Sequence, residues 1–370
     1  MMGAASKTPL AAALHSAGAQ YNVIIVDQVS AVMPVLRLLT RARLLFYCHF
    51  PDLLLARRGG ALRAAYRAPL DWVEERTTGQ ADLLLVNSAF TQGVFAETFA
   101  SLAARGVHPA VLHPAVAVPF GAELRAARAG WAQALPPELA EFVAGGPTFL
   151  SINRFERKKG IGLAIEALAD LAKGQAQQQT RPVAATRRRA GGGSSGAEAA
   201  AVPAATRLVI AGGYDPRLPE NVEHLEELRM LAASHGMAER VAFLPSFSDA
   251  QRTALLAACV AVLYTPQREH FGIVPLESMA AGRPVIACDS GGPRESVVDR
   301  QTGFLCPPRP AAWATAMGQL LREGVAAEMG EAARRHVQNR FSRTAFGDKL
   351  HKLVLDLVAE QQRGGKRRQA

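Results

Sequence analysis

The sequence lacks the features that would place it at once in a simple class. Aromatic residues make up only 6% of the 370 residues, so we expect an aliphatic interior. No stretch approaches the roughly 18 consecutive apolar residues of a membrane-spanning helix. The opening MMGAASKTPLAAALHSAGAQ shows no clear signal-peptide cleavage site. The chain is therefore expected to be soluble or peripheral to a membrane.

Cysteine is scarce, and its spacing excludes the common cysteine-based sites. The four cysteines are far apart and form neither a CxxC pair nor a zinc-like cluster. Each lies in or beside an apolar run, where cysteine behaves as a small core residue. This usage favours a reducing compartment. The residues are Cys48, Cys259, Cys288 and Cys306.

Motifs for metal or phosphate binding are also missing. The chain contains no D-x-D, no histidine-rich cluster and no GxxxxGK[ST], so neither a metal-clamped diphosphate nor a P-loop is predicted. Gly191, Gly193 and Gly196 match GxGxxG literally. No strand precedes them and no helix follows closely, so the match lacks the context of a dinucleotide fingerprint and is set aside.

The net charge of +10 is concentrated at two places in the chain. Eight basic residues lie in one low-complexity stretch and at the C-terminus, and without them the net charge is +2. The folded part is therefore nearly neutral, which argues against nucleic acid as a partner. A basic tail of this kind suits an anionic membrane surface. The eight residues are Arg181, Arg187, Arg188, Arg189, Arg363, Lys366, Arg367 and Arg368.

Short apolar runs alternate with helical stretches along most of the chain. This alternation predicts βαβ units and parallel sheets with both faces covered. Over 370 residues it indicates two doubly wound, Rossmann-like α/β domains rather than one. The predicted strands are 21–27, 43–50, 81–88, 110–114, 148–153, 207–213, 241–246, 261–266, 284–289 and 303–307.

Two glycines and a proline in LAEFVAGGPTF (139–149) mark the predicted domain boundary. We expect a partial N-terminal domain over residues 1–140 and a second domain over 147–341. A C-terminal helix and basic tail are expected over 342–370. Residues 174–206 are rich in Gln, Ala, Gly and Arg without an apolar period, and are expected to form a disordered insert.

The C-terminal helix is predicted over TAFGDKLHKLVLDLVAEQQ, residues 344–362. Its apolar residues recur at helical spacing and indicate one buried side. That side is predicted to consist of Leu350, Leu353, Leu355 and Leu357.

The segment REHFGIVPLESMAAG (268–282) brings two glutamates to one helix start. Pro275 suits the first helical position because its missing N–H would have no partner there, which places Glu277 in the first turn. A carboxylate at that point can accept two hydroxyl groups, as from a ribose diol. Glu269 would lie on the far side of a bound phosphate, towards the other half of a substrate.

Between the two glutamates, the backbone itself is suited to an anion. Gly272 lets a phosphate approach the chain closely. The amides of Gly272, Ile273 and Val274 would point out of the crevice at the strand end, with the positive end of the helix dipole behind them.

A second predicted element converges on this crevice. INRFERKKG (152–160) follows the first strand of the second domain and carries Arg154 and Lys159, which together would neutralise a diphosphate. The glycines of AGGYD (211–215) offer another close backbone approach. Taken singly, the glutamates are commonly surface residues and the cationic loop a solvated turn. Their coincidence at strand ends of one parallel domain favours a nucleotide-diphosphate site.

Several blocks of the sequence resemble a known family over residues 21 to about 310. The pair of glutamates, the preceding strand and the Arg/Lys loop resemble the retaining GT-B glycosyltransferases of family four. Within them, the chain is similar to the Alg-type α-1,3/1,6-mannosyltransferases of N-glycan assembly. The blocks are FYCHFPDLLL, YRAPLDWVEERTTGQADLLLVNSAFT, INRFERKKG, AGGYD, ENVEH, FSD, LYTPQREHFGIVPLESMAAGRPVIACDSGGPRES and TGFLCPP.

The resemblance implies a GT-B enzyme that uses GDP-mannose without a metal or other cofactor. It would add the second and third mannoses to dolichol-diphosphate-linked Man-GlcNAc2 at the cytosolic face of the endoplasmic reticulum membrane. The implied partners are GDP-mannose, the lipid-linked acceptor, the membrane surface and other glycan-assembly transferases. The first βα units of the family's first domain have no counterpart here, so that domain is expected to be incomplete.

The resemblance also implies roles for individual residues. Arg154 and Lys159 would bind the donor diphosphate together with the helix-start amides, and Glu277 would hold the ribose. Glu269 would lie beside the donor mannose as a catalytic residue. His49, at the end of a first-domain strand, would line the sugar site, although a lone histidine there is about as often structural.

Three alternatives stay open on the sequence alone. The chain could use another nucleotide sugar, such as a UDP-sugar, because the site residues are shared across family four. It could be a truncated protein that binds a nucleotide without catalysis. The arginine-rich insert could bind nucleic acid, in which case deleting residues 174–206 would abolish retention on heparin.

Overall fold

A computed structural model describes residues 21–55, 61–119, 121–180 and 205–367. These residues form two compact units. The first unit contains the described residues up to 115 together with those from 343 onwards, and the second unit spans residues 116–342. Each unit has its own parallel sheet.

The first unit is built on a four-stranded parallel sheet in the order β1-β2-β3-β4. Leucine, valine and phenylalanine side chains of these strands and of the helices that follow them form its core. The strands are β1 (Val23–Asp27), β2 (Arg43–Cys48), β3 (Leu83–Val86) and β4 (Ala110–Val111). The helices between and after them are α1 (Met33–Leu39), α2 (Asp52–Leu55), α3 (Ala61–Thr78), α4 (Ala89–Thr98) and α5 (Ala100–Ala104).

The second unit contains a six-stranded parallel sheet in the order β7-β6-β5-β8-β9-β10. The chain builds outward from β5 in one direction, then returns and builds outward from β8 in the other. Open α/β sheets bind ligands at such a reversal, beyond the carboxyl ends of the two central strands. The strands are β5 (Thr148–Ile152), β6 (Arg207–Gly212), β7 (Val241–Pro245), β8 (Val262–Tyr264), β9 (Val285–Cys288) and β10 (Gly303–Cys306).

Helices cover both faces of this sheet and bury two large aliphatic clusters against it. They are α6 (Gly121–Gly130), α7 (Pro137–Ala144), α8 (Gly162–Thr180), α9 (Pro219–Ser234), α10 (Asp249–Ala258), α11 (Ile273–Ala280), α12 (Pro293–Ser296), α13 (Pro310–Leu320) and α14 (Val325–Arg340). Short 3-10 turns lie at Ser30–Val32, Ala132–Ala134, Arg157–Lys159 and Ala238–Arg240.

The last helix, α15 (Arg343–Arg367), belongs to the first unit and packs on the face of its sheet. Leu357 is buried there, and Leu350 and Leu353 are partly buried against the same cluster. The prediction that Leu355 shares this side is wrong, because its side chain is 54% exposed. Successive residues of a helix are 100° apart, which places Leu355 away from Leu350 and Leu357.

The α/β class and the two Rossmann-like sheets predicted from the sequence are confirmed, and each of the ten apolar runs contains a strand. The predicted insert begins too early, because α8 continues through Thr180. Residues 181–204, with the GxGxxG match at Gly191, Gly193 and Gly196, lie outside the described part. Contacts divide the chain at 115/116 and 342/343, whereas the predicted boundaries stand at 140/147 and 341/342.

The four cysteines are buried and form no disulfide bond. Cys288 and Cys306 are register partners on the adjacent parallel strands β9 and β10. Burial is the main cause that raises the pKa of each thiol, to about 12 for Cys48 and Cys288 and to about 11 for Cys259 and Cys306. These thiols therefore act as core residues.

Among the described helices, none combines the length and apolar content needed to cross a bilayer.

Candidate nucleotide-sugar site

Two loops meet at the reversal of the second sheet. One follows β5 and runs from Asn153 to Gly160, and the other follows β8 and runs from Thr265 to Gly272. The Thr265 hydroxyl donates a hydrogen bond of 2.7 Å to the main-chain oxygen of Lys159, and the Cys288 thiol donates one of 3.1 Å to the Thr265 carbonyl. The ends of three adjacent strands are thus connected, and both loops predicted to form the site lie together.

The predicted residues Lys159 and Glu269 are in direct contact. Lys159 Nζ donates to Glu269 Oε2 at 2.6 Å, and the two side chains are only 14% and 23% exposed. The hydroxyl of Tyr264 also hydrogen-bonds to Glu269, and burial together with that carboxylate raises the Tyr264 pKa. Two groups from different elements therefore fix the position of the Glu269 carboxylate.

The loop that carries Glu269 is shaped by a pair of glycines on the next strand end. The amide of Gly292 donates to the Glu269 carbonyl at 2.8 Å. A Cβ atom on Gly291 would lie 2.4 Å from the Glu269 carbonyl oxygen, and one on Gly292 would lie 2.2 Å from Phe271 Cα. Only glycine permits this approach. The sequence contains these glycines in SGGPRES, but no local signal reveals their contact across strands.

The helix after this loop starts earlier than predicted. Gly272, with φ of +82°, is the N-cap of α11, and Ile273 and Val274 are its first two residues. Their amides belong to the first turn, where no intrahelical acceptor exists, so they suit an anion as expected. The prediction for Pro275 is wrong by two positions, because it is the third helical residue. Glu277 is consequently the fifth and lies outside the first turn.

Glu277 is held by a residue that the sequence analysis missed. Arg252 of α10 donates from Nη1 to Glu277 Oε1 at 2.7 Å, and from Nη2 to Asp249 at 2.8 Å. Burial raises the pKa of Glu277, and Arg252 opposes that rise. A capping box between Ser248 and Gln251 fixes the start of α10 and hence the place of Arg252 on it. SDAQ signals the cap in the sequence, whereas the ion pair depends on tertiary packing.

Arg154 follows β5 as predicted, and its side chain is 65% exposed. It pairs with Glu156 at 3.0 Å, and Lys158 pairs with the same carboxylate at 3.1 Å. The glycines of AGGYD face this loop rather than open space. A Cβ atom on Gly212 would overlap the Asn153 carbonyl, and one on Gly213 would lie 3.2 Å from Arg154 Cγ. The loop after β5, and not open space for a ligand, therefore lies against the glycines of AGGYD.

Helix α9 supports the loop from its outer side. Asn221 is buried, and its side-chain amide donates to the Phe155 carbonyl at 3.0 Å. Arg157 binds the carboxylates of Glu223 and Glu227 at 2.8 and 2.6 Å. These contacts orient the segment from Arg154 to Lys159. They involve neither the Arg154 nor the Lys159 side chain, which are the two predicted diphosphate ligands.

His49 lies in the first unit, directly after β2. Its Nε2 is 2.9 Å from Asp27 Oδ1 at the end of β1, and its ring meets Tyr47 edge-on with centroids 4.8 Å apart. The amide of Asn87, after β3, donates to the His49 carbonyl at 2.9 Å. The histidine is thus at the carboxyl edge of the first sheet, half exposed, and oriented by a carboxylate.

In the part of the chain that the structure describes, no three His, Cys, Asp or Glu side chains are grouped so as to hold a metal ion.

Comparison with known proteins identifies the relatives of this chain. Residues 198–336 match the family Glycosyl transferases group 1. The structure is similar to HepE of Anabaena in complex with UDP, with a TM-score of 0.66 and 20% identity. That match covers 94% of this chain and 82% of the HepE chain, and it shows a shared GT-B fold.

Two curated relatives are much closer in sequence. The α-1,3/1,6-mannosyltransferase ALG2 of Mus musculus is 43% identical, and that of Homo sapiens is 44% identical. Each match extends over 349 residues, which is 93% of this chain and 76% of the relative. The chain therefore belongs to the ALG2 family of α-1,3/1,6-mannosyltransferases.

Proposed function

We propose that this chain transfers mannose from GDP-mannose to dolichol-diphosphate-linked Man-GlcNAc2, with retention of configuration. It would form the α-1,3 and then the α-1,6 linkage in the synthesis of the N-linked glycan precursor. Membership of the ALG2 family supports this activity. The reaction would take place at the cytosolic face of the endoplasmic reticulum membrane.

One observation carries the assignment of the donor site. At the reversal of the second sheet, a partly buried cation–carboxylate pair, Lys159 and Glu269, lies beside a helix start led by Gly272. Parallel α/β sheets bind nucleotides at this point, with phosphates on helix-start amides. In the proposed roles, the pair would bring a phosphate ligand and a sugar-facing carboxylate into one place.

Each site residue has a proposed role. Arg154, Lys159 and the amides of Gly272, Ile273 and Val274 would bind the diphosphate. Glu277, positioned by Arg252, would accept the ribose hydroxyls, and Glu269 would face the donor mannose. In the first unit His49 would line the sugar site.

The reaction needs charge stabilisation more than a side-chain nucleophile. The bond between mannose C1 and the β-phosphate oxygen breaks, and the acceptor hydroxyl oxygen bonds to C1 on the same face. The hydroxyl proton passes to the departing phosphate. Lys159 and the helix-start amides are held by the fold before the reaction and, together with Arg154, would stabilise the charge that develops on that phosphate.

A direct assay tests this function. The purified chain is incubated with GDP-mannose and a synthetic lipid-diphosphate-linked Man-GlcNAc2, and the products are resolved by mass spectrometry and linkage-specific mannosidases. We expect one and then two added mannoses. A chain that binds GDP and yet leaves the acceptor unchanged would instead be a non-catalytic nucleotide-binding protein.

A different donor is the second candidate, and the fold similarity to a UDP complex of HepE gives it a specific basis. Titration calorimetry with GDP and UDP separates the two. We expect GDP to bind more tightly, and preferential binding of UDP would exclude GDP-mannose as the donor.

Peripheral membrane attachment through the basic C-terminus completes the proposal. Helix α15 reaches Arg367, and the end of the chain concentrates arginine and lysine. Such clusters bind anionic lipid surfaces in a salt-dependent way. Flotation with phosphatidylserine liposomes at low salt should recover the full chain but not a variant ending at residue 362. Equal recovery of both would exclude this mode of attachment.

A further inference from the structure

A second cavity lies in the second unit, at the opposite end of its strands from the donor crevice. Its volume is about 480 Å³, within the range of small-molecule sites. Pro147, Val260 and Arg283 line it, and each stands one or two residues before β5, β8 or β9. All strands of this sheet are parallel, so these amino ends share one edge of the sheet. The cavity is therefore separate from the site assigned to the nucleotide sugar.

The polar lining of this cavity is predominantly cationic. Arg128, Arg283 and Arg322 contribute three guanidinium groups, whereas Glu331 is its single carboxylate. Within the described ranges, no carboxylate lies at ion-pair distance from any of the three arginines. Arg157 and Arg252 of the same unit, by contrast, do have such partners.

Two of these guanidinium groups are held close together. Arg283 is anchored by Nε and Nη2 on the carbonyls of Leu256 and Ala257, at the end of α10. Arg128 reaches the same place from α6, because its Nη2 lies 3.2 Å from the position of a Cβ atom on Gly282. Burial lowers the pKa of Arg283, and the nearby charge of Arg128 lowers it further. Like charges brought together in this way favour an anion between them.

A fourth arginine, Arg334, lies beside this cavity and strengthens the pattern. Arg334 Cδ lies 3.9 Å from the same Cβ position on Gly282, and its Nη2 donates to the Pro119 carbonyl at 2.7 Å. Its Nε is buried and has no hydrogen-bond partner in the structure. Buried donors are normally paired, so this N–H group beside Gly282 is available to an acceptor. Gly282 itself has φ of +71° and no side chain, which leaves room for Arg128 and Arg334 to approach each other beside Arg283.

The rest of the wall is apolar. It includes Cys259, Val260, Leu320, Leu321 and Ala326. A ligand for this cavity would therefore have an anionic head for the guanidinium groups and a short apolar body for the opposite wall.

We propose that this cavity is a second ligand site, which binds a small organic phosphate through Arg128 and Arg283. Arg128 offers its guanidinium fork, and Arg283 offers the N–H groups that do not donate to the Leu256 and Ala257 carbonyls. Paired N–H donors of this kind favour phosphate over a single-point anion. The proposal does not depend on the transferase activity, because it uses none of the donor-site residues.

The test uses hexyl phosphate as a probe, titrated calorimetrically into the full chain at fixed ionic strength. Saturating GDP occupies the donor crevice, so phosphate binding there does not contribute. We expect one hexyl phosphate per chain, and roughly tenfold weaker binding in Arg128→Gln through loss of a charged hydrogen bond. Arg128 is an exposed residue of α6, so this variant should fold normally. Arg283→Lys, which keeps the charge but loses the fork and the bonds to Leu256 and Ala257, is the second variant. It should weaken binding by more than any loss of stability measured by chemical denaturation accounts for.

Arg229→Gln is the matched control, because Arg229 is an exposed helical arginine of the same unit, outside the cavity. It should bind hexyl phosphate as the parent does. Hexanol tests the role of the anion and should bind much more weakly. The proposal is overturned if hexanol binds equally, if Arg128→Gln leaves binding unchanged, or if GDP abolishes it.

Discussion

Lys159 and Glu269 are 110 residues apart in the chain, yet 2.6 Å separates Lys159 Nζ from Glu269 Oε2. The pair joins the loop after β5 to the loop after β8, and it is largely shielded from water. Shielded pairs are sensitive to loss of one partner, because the other charge stays buried and uncompensated. The lysine is therefore expected to serve both the site's architecture and its phosphate chemistry.

Replacing Lys159 with methionine should lower kcat/KM for mannose transfer by roughly 10²–10³-fold, as for the loss of one group that stabilises a developing charge. Steady-state kinetics with the lipid-linked acceptor measure this. Lys158→Met is the matched control, since Lys158 is exposed and pairs with Glu156. A comparable loss in both variants would show that general charge, and not the position of Lys159, is responsible.

Arg252 should control the affinity for the donor through Glu277. Arg252→Gln removes the group that opposes the effect of burial, so the Glu277 pKa should rise further above its ordinary value. A carboxylate whose pKa is raised protonates at higher pH, and its hydrogen bonds to ribose hydroxyls change as it does. GDP affinity should therefore start to fall at a higher pH in Arg252→Gln than in the parent, as the solution becomes more acidic.

Calorimetric titration of GDP over a pH series measures this shift. Arg229→Gln again serves as the control, because Arg229 pairs with the exposed Glu226 at the same i,i+3 spacing as Arg252 and Asp249. Superimposable pH profiles for the parent and Arg252→Gln would contradict the assigned role.

Gly292→Ala should displace the loop that carries Glu269. The backbone of Gly292 suits any residue, with φ of −57°, so the new Cβ acts only through its clash with Phe271. We expect a loss of about 1–3 kcal/mol in the free energy of unfolding, as for overpacking, together with weaker GDP binding. Chemical denaturation and calorimetry give the two values.

Gly318→Ala provides the comparison, because a Cβ there would make only an ordinary contact of 3.6 Å with Leu171. It lies within α13, where alanine is favoured over glycine. Its stability should be equal to or higher than that of the parent. Unchanged stability in Gly292→Ala would mean that the loop adapts and is less constrained than the structure indicates.

The four thiols should resist alkylation while the chain is folded. Reaction requires the thiolate, and pKa values of about 11 to 12 leave very little of it at pH 7.5. Mass spectrometry after iodoacetamide treatment should find no adduct in native buffer and four in denaturant. An adduct in native buffer would identify a cysteine that becomes exposed by local opening.

The sequence allowed the strands to be predicted well because buried parallel strands are short, continuous apolar runs with turn residues at both ends. It also predicted that Lys159 and Glu269 share one crevice, since carboxyl ends of parallel strands meet. It did not predict that they contact each other. Pro275 was misplaced because a glycine with positive φ at 272 starts the helix two residues earlier than the proline suggests.

Two other features of the structure could not be predicted from local sequence patterns. Arg252 lies 25 residues before Glu277, and nothing in either segment indicates that α10 and α11 bring them together. The start of the insert was predicted to be disordered because the segment is rich in Gln, Ala, Gly and Arg and has no apolar period. Gln and Ala are good helix formers, however, and α8 extends through 174–180 without an apolar period.

Between β5 and β8 the ladder of the second sheet is short, with Leu150 and Val262 as its one register pair. The loop after β5 carries Arg154 and Lys159, and the loop after β8 leads to the helix-start amides, so the proposed phosphate ligands come from both strands. A bound diphosphate would thus connect β5 and β8, the pair of neighbouring strands with the shortest ladder in the sheet. Nucleotide binding in the crevice would then slow the exchange of backbone amide hydrogens in β5 and β8, although these strands lie beneath the surface that the nucleotide contacts.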